Sequence, residues 1–436
     1  MGLRRSFKGS IVVLALVLTA CAGVRVLMPT PNVHLDPSRD FYGGLDRELM
    51  STEVPLFYVT DRVPETDDEG GLQYGYERSP SLAFGSAVVD LGRDISWEGL
   101  LVASRTQDRL KDVEMDLRDV NEIARTPDVP LPFREEDGLI VEHPELVAQR
   151  EQAVEVFRRS FLRRLELTPR KEVFIFVHGY ANTFADASFA LAELWHFVGR
   201  IGVPLVYTWP AGHPGLFGYT YDRESSEFTV YHLRQVLARI ASFPEVEKIH
   251  LIAHSRGTDV ALSAVRELTI AARAAGLDPR EQFKIHNFIL AAPDLDLQVG
   301  TVRLVGDKIP LSTHRLTIYT SPEDKAIGAA TSLFASPRGR IGKFGEEQLT
   351  GALKEVVDYS NANLAIVNFT TAEGAIGSLG DSYGHSYFRD APSVASDVVI
   401  TLRDDLDPGA PGRPLTPVTH HLWKIPAGYP AVTTGP

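Results

Sequence analysis

Residues 248–262 limit what this chain can fold into more than any other stretch. They read Lys248-Ile249-His250-Leu251-Ile252-Ala253-His254-Ser255-Arg256-Gly257-Thr258-Asp259-Val260-Ala261-Leu262. Three of the four residues 249–252 are large and aliphatic, as in a buried parallel strand. After Gly257, the apolar Val260, Ala264, Val265 and Leu268 recur at helical spacing. A serine is thus caught in a sharp turn between strand and helix. The residues two before and two after it must be small, or their Cβ atoms would strike strand and helix. Ala253 and Gly257 meet that condition, giving A-x-S-x-G in place of G-x-S-x-G, with alanine the smallest departure. The bland alternative is an ordinary turn with Ser255 as a helix N-cap.

The rest of the body alternates in the same way. Apolar strands are expected at 54–60, 82–91, 173–177, 203–209, 283–292, 314–320 and 363–370. Helices are expected at 145–165, 185–198 and 224–241, with Ala153, Val154, Phe157, Phe161 and Leu165 on one face of the first. Strands alternating with helices predict an α/β class, a mainly parallel sheet with helices on both faces.

The N-terminus reads as an address. Arg4, Arg5 and Lys8 precede a short apolar run, 11–18, and then Thr19-Ala20-Cys21. The run is too short to span a bilayer. Leu18-Thr19-Ala20-Cys21 resembles the bacterial lipobox, and Cys21 is the only cysteine of the chain. Cys21 is therefore the expected lipidation site, with 1–20 a signal peptide removed before it. By resemblance to enteric lipoprotein sorting rules, Ala22 rather than Asp after the cysteine implies the outer membrane, facing the periplasm. Residues 21–50 carry Pro29, Pro31 and Pro37 with little periodicity and are expected to be a tether. The folded domain is expected over 51–403, with 103–143 a charged irregular insertion and 404–436 a Pro/Gly-rich surface tail anchored by Trp423. The formal net charge of −13 disfavours nucleic acid as a partner.

A serine hydroxyl is a weak nucleophile without a base, and the base needs an orienting carboxylate. Two acids follow apolar strands downstream of Ser255, namely Asp294 and Asp324, and His385 follows the last strand. The motifs Phe57-Tyr58-Val59-Thr60-Asp61-Arg62, Phe176-Val177-His178-Gly179-Tyr180, Tyr207-Thr208-Trp209-Pro210, Ala253-His254-Ser255-Arg256-Gly257, Ala292-Pro293-Asp294 and Gly384-His385-Ser386-Tyr387 occur in order. Together they resemble the bacterial α/β-hydrolases catalogued as a domain of unknown function, over residues 52–390. The resemblance implies an α/β-hydrolase fold and a serine hydrolase, with no agreed substrate.

On fold analogy the acid is Asp324, which follows the next-to-last strand, and His385 is the base. Asp294 is expected to fix a loop or line the substrate site. The expected oxyanion donors are the backbone N–H groups of Arg256 and Tyr180. His178 is read as stabilising a turn, and His254 as packed in the elbow. The Arg256 side chain is expected either to contact an acidic substrate or, the favoured reading, to form an ion pair with a nearby carboxylate such as Asp222. His420-His421 has no third ligand at recognisable spacing, so no metal is expected, and no cofactor is needed. The first reading is a lipid-anchored carboxylic ester hydrolase acting on a small-molecule or lipid ester. The alternative is an inactive envelope binding or scaffold lipoprotein on the same fold.

Overall fold

The computed structural model describes residues 25–67, 69–213, 218–333, 336–351, 354–355, 363–370 and 383–430. Its strands are β1 (Glu53–Thr66), β2 (Leu72–Leu91), β3 (Met115–Arg125), β4 (Phe133–Glu136), β5 (Leu139–Glu142), β6 (Glu172–Val177), β7 (Val203–Thr208), β8 (Lys248–His254), β9 (Ile285–Ala291), β10 (Arg315–Thr320), β11 (Leu364–Asn368), β12 (Thr416–Pro417) and β13 (Leu422–Lys424). Eleven of them form one sheet, in the order β12-β13-β11-β10-β9-β8-β6-β7-β1-β2-β3, and β4 pairs β5 as a separate hairpin. The run from β1 through β7, β6, β8, β9, β10 and β11 to β13 is parallel, and antiparallel pairs close both edges.

The strands are legible because they are buried on both faces. Every residue of β6, β7 and β10 is buried. Two hydrophobic layers pack on the two faces of the sheet. The helix Pro144–Glu166 buries the stripe Ala153, Val154, Phe157, Phe161 and Leu165. Each such large side chain contributes roughly 1.5–3 kcal/mol when fully buried. The chain passes from β6 to β7 on one side and then crosses back to β8 on the other. The switch in winding therefore lies between β6 and β8, and open sheets bind ligands outside the carboxyl ends of their strands at such a point. No helix among the described residues is long and apolar enough to cross a membrane.

Three expectations about organisation fail. Residues 25–50 are not a tether. Leu27, Met28, Val33, Phe41, Tyr42 and Leu49 are all buried in one core layer. The Leu27 N–H donates to Val113 O (2.9 Å), and the Met115 N–H to Arg25 O (2.7 Å). The prolines break periodicity without preventing burial. Nor are residues 103–143 an irregular insertion, since they supply β3 and the β4–β5 hairpin. β3 is charged because it is an edge strand, where charge blocks further pairing. The segment 404–430 is not a loose tail either. It adds β12 and β13 to the sheet, and Arg413, fully buried, donates to both oxygens of buried Asp397 (2.9 and 2.8 Å). Trp423 does pack against the core, from within β13.

The packed N-terminal segment carries a titration consequence. His34 stacks on Phe41 with centroids 3.8 Å apart, and burial pushes its pKa down to about 3. His178, His196 and His254 are also held well below the ordinary imidazole range, chiefly by burial. Such a histidine stays neutral when folded but takes up a proton when unfolded below about pH 6.5. The unfolded state then binds more protons, so stability is lost as pH falls below that value, by up to about 1.4 kcal/mol per pH unit for each group. Melting temperature should therefore fall steadily from pH 7 to pH 5. A flat profile over that range would show that these histidines are not held neutral.

Candidate active site

The elbow is built by β8 and the helix Gly257–Ala274. Ser255 adopts φ 53°, a left-handed backbone that a non-glycine residue accepts only where its surroundings impose it. Those surroundings are backbone hydrogen bonds. The Ser255 N–H donates to Ala291 O (2.9 Å), and Ser255 O accepts from the N–H of Thr258 (3.1 Å) and of Asp294 (3.3 Å). The small residues have measurable reasons. A Cβ on Gly257 would stand 2.2 Å from His178 O, and one on Gly179 would stand 2.7 Å from the Ser255 Cβ. Close approach of the loop after β6 to the elbow thus requires glycine at both positions.

That approach brings the two expected oxyanion donors, the N–H groups of Tyr180 and Arg256, to adjoining turns. Among the described residues neither amide is used by the backbone hydrogen bonds of its turn. His178 holds its loop. Its Nδ1 donates to Gly179 O (2.9 Å), and its Nε2 accepts from the Trp209 N–H (3.0 Å) and from Arg62 Nη2 (3.3 Å). Both ring nitrogens are occupied, and burial beside Arg62 keeps the ring neutral. Trp209 Nε1 donates back to His178 O (2.7 Å).

Asp324 and His385 are brought together from 61 residues apart. His385 Nδ1 lies 2.7 Å from Asp324 Oδ2. An ionised carboxylate only accepts, so the proton sits on Nδ1 and the lone pair on Nε2. Asp324 is fully buried, and its Oδ1 accepts from the Ile327 N–H (2.8 Å) at the start of the helix Lys325–Leu333. Lys325 N–H donates to Tyr383 O (3.0 Å), and Tyr387 Oη–H to Tyr319 O (2.9 Å), which tie the His385 loop to β10 and the turn after it. His254 lies beneath, its ring 4.8 Å from the His385 ring.

Asp294 is placed differently. Arg340 Nη1 donates to its Oδ1 (2.6 Å) and Tyr219 Oη–H to its Oδ2 (2.7 Å). It fixes the loop after β9 against the elbow, with no histidine on either oxygen among these contacts. The Tyr219 ring is 4.9 Å from Tyr180, so this cluster borders the expected oxyanion turn. Tyr219, in the first turn of the helix Gly218–Ala241, and Arg340, at an isolated bridge to Asp296, were not singled out in the sequence, because neither stands in a motif of its own. Arg256 does form an ion pair, but its partner is not Asp222. Its Nη2 pairs with Asp259 Oδ2 (2.9 Å), one helical turn on, and its Nε donates to Ser226 Oγ (3.2 Å). Asp222 instead accepts from the N–H groups of Ala181 (3.1 Å) and Gly212 (3.0 Å).

One group of metal-ligating residues comes together among the described residues, away from Ser255. His286, His314 and Asp405 place ligand atoms within 4.8 Å of one another. Arg315 Nη1 already donates to Asp405 Oδ1 (2.6 Å), and Lys248 Nζ lies 3.4 Å from His286 Nε2. A metal would enter between two fixed positive charges, so the cluster suits an ion-pair network better. His421 Nδ1 bonds the carbonyl of Leu364 (2.8 Å). Cys21 lies outside the described residues.

The curated proteins contain no match to this chain. A family model described as an alpha/beta hydrolase of unknown function (DUF900) matches residues 154–403, more than half of the 436 residues, and spans both the elbow and His385. The chain belongs to that alpha/beta-hydrolase family.

Proposed function

We propose that the protein is a serine hydrolase acting on carboxylic esters through an acyl-enzyme on Ser255. One observation carries the reading: a serine held at φ 53° at the switch point, with a buried Asp324 on a partly buried His385, on the loops of neighbouring strands. Ser255 Oγ attacks the ester carbonyl while His385 Nε2 takes its proton. The oxyanion that forms is met by the N–H groups of Tyr180 and Arg256. Collapse expels the alcohol, which receives the proton back from His385. Water, deprotonated by the same imidazole, then releases the acid and restores Ser255.

A lipid on Cys21 is part of the proposal. Only three residues separate Cys21 from Arg25, the first described residue, so the four chain steps reach at most about 14 Å. Arg25 lies by Met115, which pairs Leu91 beside the Glu53 end of β1. That end is opposite to the carboxyl edge of the sheet, and the seven steps of strand from residue 53 to residue 60 span about 23 Å. The anchor would hold the catalytic edge away from its own leaflet, which favours dissolved esters over lipids of that leaflet.

The test is a panel of esters of graded chain length, dissolved and in vesicles, with protein lacking residues 1–21. Hydrolysis of dissolved esters is expected, and no turnover of any ester would contradict the reading. Separately, Cys21→Ser should release the protein from the membrane fraction or stall its processing, since stable retention needs several acyl chains. A mature N-terminus with unmodified Cys21, or an intact signal, would overturn the anchor.

A further inference from the structure

We propose that His254 is a positioning residue, a neutral spacer that sets the His385 loop against the loop after β6 and so keeps His385 on Asp324. The inference rests on the reading of His385 as the base. His254 ends β8, one residue before Ser255, and is 8% exposed. Its Nε2 lies 3.3 Å from the backbone oxygen of His385. A carbonyl only accepts, so Nε2 carries a proton, and in the neutral ring Nδ1 is then bare. The ring packs 4.8 Å from the His385 ring and 4.7 Å from Phe388. On its other side, Nδ1 is 3.2 Å from where a Cβ on Gly179 would stand. One side chain therefore touches the chain segments that carry the base and one oxyanion donor, and it is covalently next to the nucleophile.

The spacer has to be uncharged. The titratable groups facing it are His385 on one side and His178 on the other, with Asp324 behind the first and Arg62 behind the second. A second positive charge here would oppose the imidazolium that forms on His385 in each proton transfer. Burial, and then His385, hold the His254 pKa well below its ordinary value, which agrees with the geometry. Phenylalanine would fill the same space but leave the His385 carbonyl without this donor. Glutamine can place an amide N–H near the position of Nε2.

The experiment compares His254→Phe and His254→Gln with the unmodified protein, alongside 15N-histidine NMR of the unmodified protein. His254→Phe should lower kcat about 10- to 100-fold with KM little changed, since a small misplacement of a catalytic group costs that much. The acid limb of its kcat/KM profile should move to lower pH, because His385 loosens from the carboxylate that favours its charged form. His254→Gln should restore both kcat and the limb. NMR should show His254 as the neutral Nε2–H tautomer from pH 8 to pH 5. A folded His254→Phe protein with unchanged kcat and an unmoved limb would overturn the assignment. So would loss of activity in His254→Gln as large as in His254→Phe, or an Nδ1–H tautomer. Absence of turnover in the unmodified protein would sink the reading of the site instead, and the tautomer would then decide this assignment alone.

Discussion

Asp324→Asn should lower turnover by as much as about ten-thousand-fold while the protein stays folded. Asparagine fills the same buried space. Its carbonyl is drawn to the Ile327 N–H, which Asp324 Oδ1 now serves at 2.8 Å. Its NH2 then faces His385 Nδ1, where Oδ2 stands at 2.7 Å. Two donors cannot share that contact, so His385 moves its proton to Nε2 and loses the lone pair that Ser255 needs. Asp294→Asn should behave otherwise. It removes one charge of a buried ion pair, since Arg340 is 7% exposed and Asp294 is 3% exposed. The cost is on the order of 3 kcal/mol in stability, with turnover changed about tenfold or less. Both variants should be checked by circular dichroism and assayed on one ester. Collapse of turnover in Asp294→Asn, with Asp324→Asn near the unmodified rate, would move the acid one strand earlier.

Ser255→Ala should reduce turnover on the order of a million-fold and leave stability nearly unchanged. The elbow's hydrogen bonds run through the backbone of residue 255, from its N–H to Ala291 and from Thr258 and Asp294 to its carbonyl. Alanine keeps all of them, and its Cβ meets the left-handed backbone on the same terms as serine's. The comparison is therefore free of a folding artefact. Residual hydrolysis well above background in folded Ser255→Ala protein would contradict the assignment of the nucleophile.

The parts of the fold that were legible are those where burial imposes a period. β6 and the centre of β8 are apolar runs because parallel strands are covered on both faces, and their order along the chain followed directly. The elbow was legible because its constraint is steric, and Gly257 answers a contact of 2.2 Å with a carbonyl. Residues 25–50 were misread because their burial is tertiary. Leu27, Met28, Val33 and Phe41 fit the core singly, between prolines, with no period to detect. β3 was missed for the opposite reason, since an edge strand carries charge on its open side. Within the site, chain order and fold analogy favoured Asp324 over Asp294, and the structure has His385 on Asp324 while Arg340 and Tyr219 hold Asp294. The Arg256–Asp259 pair was readable, being three residues apart on a helix, whereas the Asp294 partners Tyr219 and Arg340 were not.

The central claim is that Ser255 is an activated nucleophile, and active-site labelling with a fluorophosphonate tests it most directly. The reagent forms a bond to phosphorus only at a serine whose proton a base removes, whatever the natural ester is. The account predicts one adduct per chain, mapped by mass spectrometry to Ser255, absent in Ser255→Ala and strongly slowed in Asp324→Asn. An unlabelled folded protein, or an adduct that persists in Ser255→Ala, would contradict it.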